Sequence, residues 1–579
     1  MSAHTTVSGP GTAPHAAETP AKTSALAVEM AGADIIPDSE RKGHPRGLFW
    51  PWFAANISPL AIPYGAWLLG FNISFWQALV AGLIGIVFSF ALCGFVAVAG
   101  KRGSAPTMIL SRAAMGVHGN RIASGLSWIL TVGWETVLAS LAVLATATVF
   151  DKMGWGSGSH IKIIALIVVA VLVVGGGIVG FDLVMKIQTW ITVITGILTI
   201  GYFALTWNQL DFHALSQIQG GSTAQLIGGL VFMMTGFGLG WVNMAADYSR
   251  YLPRNASSGK VMWWTTFSAS LAPILLVVFG LLLAGSKGLD SEFTNNLSAD
   301  PIGALTGAIP TWFVIPFFIV ALLGLVGGAL LDIYSSGLAL VSTGLPIKRP
   351  VAAAIDGTIM VIGTIYIVFS GSTFIDLFQG FLITLGVPIA VWAGIMLADV
   401  ALRKKDYDEV DLFNPRGRYG NVPATPLLVM IIGTVLGWGL VTNGYASWLS
   451  WQGYLLKPFG LGGRGGDWAT ANLGVLAALV IGFLATLIFR AAAVRRQEAQ
   501  AATPKPGEAA AHVQAHHTNP PTHNAAKAPG KATLDDAKTE KKTPAKKKAP
   551  ATARTAPSGE AMAQAVKEHT QRTRREGTK

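Results

Sequence analysis

Long apolar stretches separated by short polar ones dominate the chain between residues 47 and 496. A membrane-crossing helix needs about 20 mostly apolar residues. Segments of that kind recur at 50–70, 75–99, 123–149, 161–181, 187–206, 223–246, 262–285, 312–340, 351–370, 375–399, 424–442 and 471–491. The pattern predicts an all-α integral membrane protein with twelve transmembrane helices. The connecting loops alternate in basic content. The flank before segment 1 carries Arg41, Lys42 and Arg46, and the loop after segment 2 carries Lys101, Arg102, Arg112 and Arg121. Lys186, then Arg250, Arg254 and Lys260, then Lys348 and Arg349 follow on the same side, and so do Arg403 to Lys405 and Arg490 to Arg496. The opposite loops hold little beyond Lys152, Lys287, Lys457 and Arg464. Basic loops stay on the cytoplasmic side, so both termini are expected in the cytoplasm and the helices in the plasma membrane.

Composition agrees with a bilayer as the solvent. Of 579 residues, 51% are hydrophobic and 12% charged, against about 25% charged in a soluble chain. The formal charge of +12 would raise the question of nucleic acid, but residues 501–579 alone hold 15 Lys/Arg against 7 Asp/Glu. The excess is concentrated on a tail, and no nucleic-acid partner is expected. The polar segments 1–46 and 497–579 lack periodicity and cannot bury enough apolar surface to offset their ordering entropy; both are expected to be disordered. The basic C-terminal tail either rests against anionic lipid headgroups, at about 1 kcal/mol per Lys/Arg, or is simply solvated. The lone cysteine, Cys93, excludes an internal disulfide or a Cys-rich metal site. The first 46 residues hold no apolar core of a cleavable signal, so segment 1 is expected to act as its own insertion signal.

Two segments are interrupted. Segment 1 contains Pro59 and Pro63 in its middle, beside Asn56 and Ser58; each proline removes a backbone donor and clashes with the preceding turn. Segment 6 contains Gly236, Gly238 and Gly240 beside Thr235. Such residues are ordinary in membrane helices, where small side chains aid packing. Their occurrence in the first helix of each of two five-helix halves, 47–206 and 207–400, points instead to an inverted-repeat transporter with a site near the midplane. Residues 401–496 then form two additional helices.

Ionisable groups at membrane depth are costly and are functional suspects. Glu135 lies mid-span in segment 3 and Asp332 in segment 8. Both suit proton coupling or a hydrogen bond to an amidine-like substrate edge; the alternative is that each acid caps broken backbone. Asp182, Asp376 and Asp399 lie near segment ends and are expected to face water or a loop, and Asp247 with Arg250 reads as a structural or gating pair at the cytoplasmic mouth. Trp134, Phe237 and Trp241 flank the interruptions, where aromatic faces can sandwich a flat heterocycle. No histidine cluster, phosphate-binding loop or nucleophile–base pair is visible, which disfavours a membrane enzyme or an ATP-driven pump. A channel or transporter-derived sensor is disfavoured by short loops.

These residues carry a family resemblance. The stretch from Asn243 to Pro253, NMAADYSRYLP, resembles the end of helix 6 in the nucleobase:cation symporter-1 family, and KRGSAPTMILSRAAMGVHGNR is similar to its loop after helix 2. GWETVLAS, DIYSSGL and GVPIAVWAGIMLAD resemble the purine–cytosine permease branch. The resemblance implies a LeuT-like fold, a 5+5 inverted repeat plus two helices, and uptake of cytosine or a related nucleobase with H⁺ or Na⁺. Allantoin, hydantoin, uracil and thiamine-like compounds are the alternatives within the family. It implies a substrate site at Asn56, Ser58, Trp134, Glu135, Phe237, Gly238 and Asp332. Sodium-coupled relatives carry hydroxyls just before the helix 8 polar position, where this chain reads Gly327-Gly328-Ala329. That departure favours protons, carried by Glu135 and Asp332; a one-turn slip in alignment would bring Ser335 and Ser336 forward as a sodium site. No cofactor beyond the coupling ion and no partner beyond substrate and lipid is expected, and the chain is expected to be a monomer.

Overall fold

The computed structural model describes residues 34–179, 181–370, 374–443 and 447–501. Most of the two expected tails lies outside the described residues, as do the side chains of Asp182 and Lys186. All regular structure among the described residues is helical.

Segment 1 forms two short helices, α1 (Phe49–Asn56) and α2 (Ala61–Leu69). They are followed by α3 (Phe75–Gly103), α4 (Asn120–Lys152), α5 (Ser159–Val179), α6 (Phe181–Thr206) and α7 (Thr223–Gly236). The second half holds α8 (Ser258–Lys287), α9 (Thr311–Ser342), α10 (Arg349–Phe369) and α11 (Phe374–Leu402), and then α12 (Ala424–Trp438) and α13 (Leu473–Ala499). The start signals are local. Ser74 with Gln77 and Ser222 with Gln225 form reciprocal capping boxes at α3 and α7, each satisfying two otherwise orphaned backbone donors.

Among the described residues, ten helices are long and apolar enough to cross a membrane. The expectation of twelve is not met by length: α1 and α2 are each under ten residues, and α12 stops after 15. The causes differ. In segment 1 Pro59 sits in the unwound stretch, while Pro63 falls in the first turn of α2, where a missing N–H is harmless. In segment 11 the chain turns at Gly439 and runs on irregularly. Ile163, Ile164, Ile167, Val171 and Leu172 of α5 and Leu484, Ile488 and Phe489 of α13 are exposed. An apolar surface of that extent needs lipid rather than water around it.

Packing separates the helices into groups. α2 and α3 lie against α8, α4 lies against α9 and α10, and α11 lies against α13. α2 approaches α8 closely. A Cβ at Gly280 would press on the Ile62 carbonyl, and one at Gly65 on the backbone of Leu281. Gly280→Val should therefore overpack this contact and cost about 1–3 kcal/mol, read as a lower melting temperature of the solubilised protein. Gly175→Ala, with open space at its Cβ inside α5, should not lower that temperature.

Residues 34–46, within the stretch read as tail, are tied to the ends of α3 and segment 6. Ile36 N–H donates to Ser104 O at 2.9 Å, and Arg41 donates to Leu252 O at 2.7 Å and also to Lys101 O. Asp38 pairs with Arg41 at 3.2 Å and with Arg254 at 3.6 Å. Asp399 departs from its expected exposure. It is 1% exposed and held by Arg403 at 2.6 and 2.9 Å, because one helical turn brings the two side chains together inside the packing of α11 on α13.

Candidate functional site

A small, partly open cavity lies where segments 1 and 6 are unwound, flanked by α4 and α9. Asn56 and Ser58 contribute from the first break, Trp134 and Leu138 from α4, Phe237 and Trp241 from the second break, and Gly324, Gly328 and Asp332 from one face of α9. The structure thus brings together five of the seven residues nominated for the substrate site, Asn56, Ser58, Trp134, Phe237 and Asp332, with the flanking Trp241.

Each break has its own construction. α1 ends at Asn56, whose Nδ2 donates to Trp52 O at 2.9 Å and so stays in the last turn. Between Ile57 and Leu60 the chain is irregular, and Ser58 Oγ weakly accepts the Leu60 N–H at 3.4 Å. In segment 6 the irregular residue is Phe237 itself, at φ −118° and ψ −106°. None of the three neighbouring glycines has a positive φ; they are there for close approach. A Cβ at Gly236 would lie 2.5 Å from the Tyr64 ring, and one at Gly240 3.0 Å from Trp134 Nε1.

Gly238 lies outside the cavity lining. Its N–H donates to Ser89 Oγ at 3.0 Å, and its carbonyl accepts from Cys93 Sγ at 3.1 Å. The lone cysteine of the chain, with Ser89, satisfies backbone that the break leaves free, a role that no local sequence signal marks. Glu135 also lies outside the lining. It is 0% exposed, next along α4 from Trp134, and its two oxygens have no hydrogen-bond donor among the described residues.

The cavity walls are aromatic. Tyr64, which the sequence reading did not single out, lies 4.7 Å from Phe237 and 5.3 Å from Phe232 between ring centroids. Its hydroxyl donates to Gly236 O at 3.4 Å. Phe378 of α11 meets Trp134 edge-on at 5.4 Å and Tyr64 at 6.0 Å. Trp241 is edge-on to Trp52 at 6.2 Å. Polar chemistry is sparse: the Asp332 carboxylate, the Asn56 amide, the Ser58 hydroxyl and the Trp134 indole N–H, which has no acceptor among the described residues. This wall can stack a flat ring and read a few donors and acceptors on its edge.

The remaining nominated residues lie elsewhere. Ser335 is buried and its hydroxyl has no partner among the described residues, whereas Ser336 donates to Asp356 Oδ2 at 2.7 Å. Asp356 on α10 escaped the sequence reading; its signal was an acid inside segment 9. Asp247 accepts from the N–H and hydroxyl of Thr107 at 2.8 and 2.7 Å. Arg250 donates to Tyr251 at 3.1 Å and to Tyr334 of α9 at 3.3 Å. The end of segment 6 is thereby joined both to the loop after α3 and to α9. Among the described residues, no group of three His, Cys, Asp or Glu could hold a metal ion.

Known proteins resemble this chain in sequence and in fold. A family model described as the permease for cytosine/purines, uracil, thiamine and allantoin matches residues 35–454. The putative purine-cytosine permease YxlA of Bacillus subtilis is similar at 26% identity over 454 residues, 76% of this chain and 92% of that protein. Purine-cytosine permease FCY2 of Saccharomyces cerevisiae is 25% identical over 242 residues, 41% of this chain and 43% of its own length. Inward-facing Mhp1 has a similar fold, with a TM-score of 0.60 at 17% identity over 82% of this chain and 97% of that one. Mhp1 of the nucleobase-cation-symport-1 family, closed around bromovinylhydantoin, gives 0.57 at 17% identity over 81% and 98%. This chain therefore belongs to the permease family for cytosine/purines, uracil, thiamine and allantoin, a family of multi-pass membrane transporters and not of enzymes.

Proposed function

We propose that the protein is a secondary-active importer of cytosine or a related purine or pyrimidine base, driven by protons and working by alternating access. The observation that carries this reading is the cavity between the two unwound segments, with aromatic walls and one carboxylate, Asp332, facing it. A nucleobase offers a flat π-face to Trp134, Phe237 and Tyr64 and ring N–H or amino donors to Asp332 and Asn56. Closing such a site from water strengthens those polar contacts.

Twelve spans are part of the proposal, with the α1–α2 pair and α12 together with its following loop as the two irregular ones. So are five-helix repeats, cytoplasmic termini, a monomeric state, residence in the plasma membrane and a basic tail near anionic lipid. Asp247 and Arg250 are assigned to the cytoplasmic gate, because they join segment 6 to the α3 loop and to α9. Proton coupling is supported by Gly327-Gly328-Ala329, which offers no hydroxyl, and by buried acids on α4 and α9. Sodium coupling would draw on the unpartnered Ser335 hydroxyl.

Reconstituted in liposomes, the protein should accumulate radiolabelled cytosine, or a purine competing with it, under an inward proton gradient without sodium. A protonophore should abolish accumulation. Accumulation that requires a sodium gradient and ignores the protonophore would reject the coupling.

A further inference from the structure

A second buried polar cluster lies outside the cavity lining, where α4, α9 and α10 meet. Asp356 on α10 is 0% exposed and accepts two short hydrogen bonds, from Trp128 Nε1 at 2.6 Å and from Ser336 Oγ at 2.7 Å. Glu135, also 0% exposed, stands beside the same serine and within electrostatic reach of Asp356 and Asp332. Ser336 gives its hydroxyl proton to Asp356, and among the described residues neither Glu135 oxygen accepts a hydrogen bond in good geometry. One acid thus has a fully built seat for its anion, and the other, independently, has none.

We propose that Glu135 and Asp356 form a proton-holding pair, bridged by Ser336 and separate from the substrate cavity, and that this pair carries the coupling proton. The inference rests on the proton-coupled reading above and assigns its ion to residues that do not touch substrate. Two anions side by side in a dry interior repel each other, and a buried carboxylate with no donor is costly. One shared proton relieves both. It belongs on Glu135, since both anion-stabilising donors, Trp128 Nε1 and Ser336 Oγ, point at Asp356, and a protonated Glu135 can use the Ser336 oxygen beside it as its acceptor, which closes the bridge.

The other groups facing the pair complete the electrostatics. From α9 come Asp332 and Tyr334; Arg250 of segment 6 donates to that tyrosine. From α10 comes Arg349, two turns before Asp356, lying over the Tyr334 ring at 4.5 Å and donating to Gly177 O at 3.3 Å. α5 packs Val174 against Gly357 and Gly177 against Ile333, and α11 brings Phe378 and Phe381 against Trp134. Ser336 follows Asp332 by one helical turn and shares its face of α9. A substrate that engages Asp332 therefore acts on the turn that bridges the pair, which gives a physical link between loading the cavity and holding the proton.

The test uses the full-length protein and two readouts. Infrared spectroscopy of the purified protein should show a protonated-carboxyl stretch that Glu135→Gln removes. Asp356→Asn should move the pH at which the stretch disappears. Ser336→Ala keeps both carboxyls and should also move that pH, and it stands in wherever a carboxyl variant fails to fold. In liposomes, Asp356→Asn should retain cytosine exchange to within about twofold. It should lose gradient-driven accumulation by about tenfold or more, the scale of a typical coupling free energy. The infrared arm needs no substrate and so judges the pair even where cytosine is the wrong base. A wild-type stretch unaffected by Glu135→Gln, or Asp356→Asn protein that accumulates cytosine like wild type, would overturn the proposal.

Discussion

Replacing Trp134 by Ala weakens substrate binding by about 30-fold or more, the scale of a central aromatic anchor at about 2 kcal/mol. Trp134 gives the cavity an aromatic face on the α4 side, braced edge-on by Phe378 at 5.4 Å. Its indole N–H, beside Gly240, has no protein acceptor among the described residues. Truncation removes the stacking surface and a donor together. Trp134→Phe keeps the face and loses only the donor, so it should fall between wild type and Ala. Equilibrium binding of radiolabelled cytosine to purified protein separates the three. Equal affinity in all three would place the substrate elsewhere.

Replacing Arg403 by Met destabilises the protein by about 3–5 kcal/mol, since removing one partner strands a buried charge. The Arg403 and Asp399 side chains are 3% and 2% exposed. Arg403 also donates to Ala113 O at 3.1 Å and to Gln497 Oε1 at 2.7 Å. It therefore ties the loop after α3 and the end of α13 to α11. The double variant Asp399→Leu, Arg403→Met removes both charges and should recover much of the loss. Thermal unfolding in detergent measures both, and a single variant that melts with wild type would show that the pair contributes little.

What could be read from the sequence followed from effects local to it. Twenty-residue apolar runs announce helices because the bilayer leaves no other way to satisfy backbone groups, and all ten long helices lie where such runs lie. Pro59 marked the first break because proline acts on its own turn. The second break was located by its glycines, yet the irregular residue is Phe237, and the glycines serve neighbours distant in sequence, Tyr64, Ser89 and Trp134. Asn56, Ser58, Trp134, Phe237 and Asp332 were legible as polar or aromatic residues beside a break or at mid-span. Tyr64 was not, since a tyrosine in an apolar run looks like any core aromatic. Asp356 sits only two turns into its helix, and its depth depends on how α10 packs on α4 and α9. Asp399 was misread for the same reason: its position at a helix end says nothing of what α13 and Arg403 lay over it.

In the proposed function, the cavity between the two unwound segments binds and carries a nucleobase. Uptake of radiolabelled cytosine by cells lacking their own nucleobase permeases tests it most directly, with wild type and Trp134→Ala compared at equal surface expression and with adenine, hypoxanthine, uracil and allantoin as competitors. Wild type should accumulate label above the empty-vector level, an unlabelled nucleobase should compete it away, and Trp134→Ala should lower it by about 30-fold or more at tracer concentration. No uptake of any nucleobase, with uptake of allantoin instead, would contradict the proposed function.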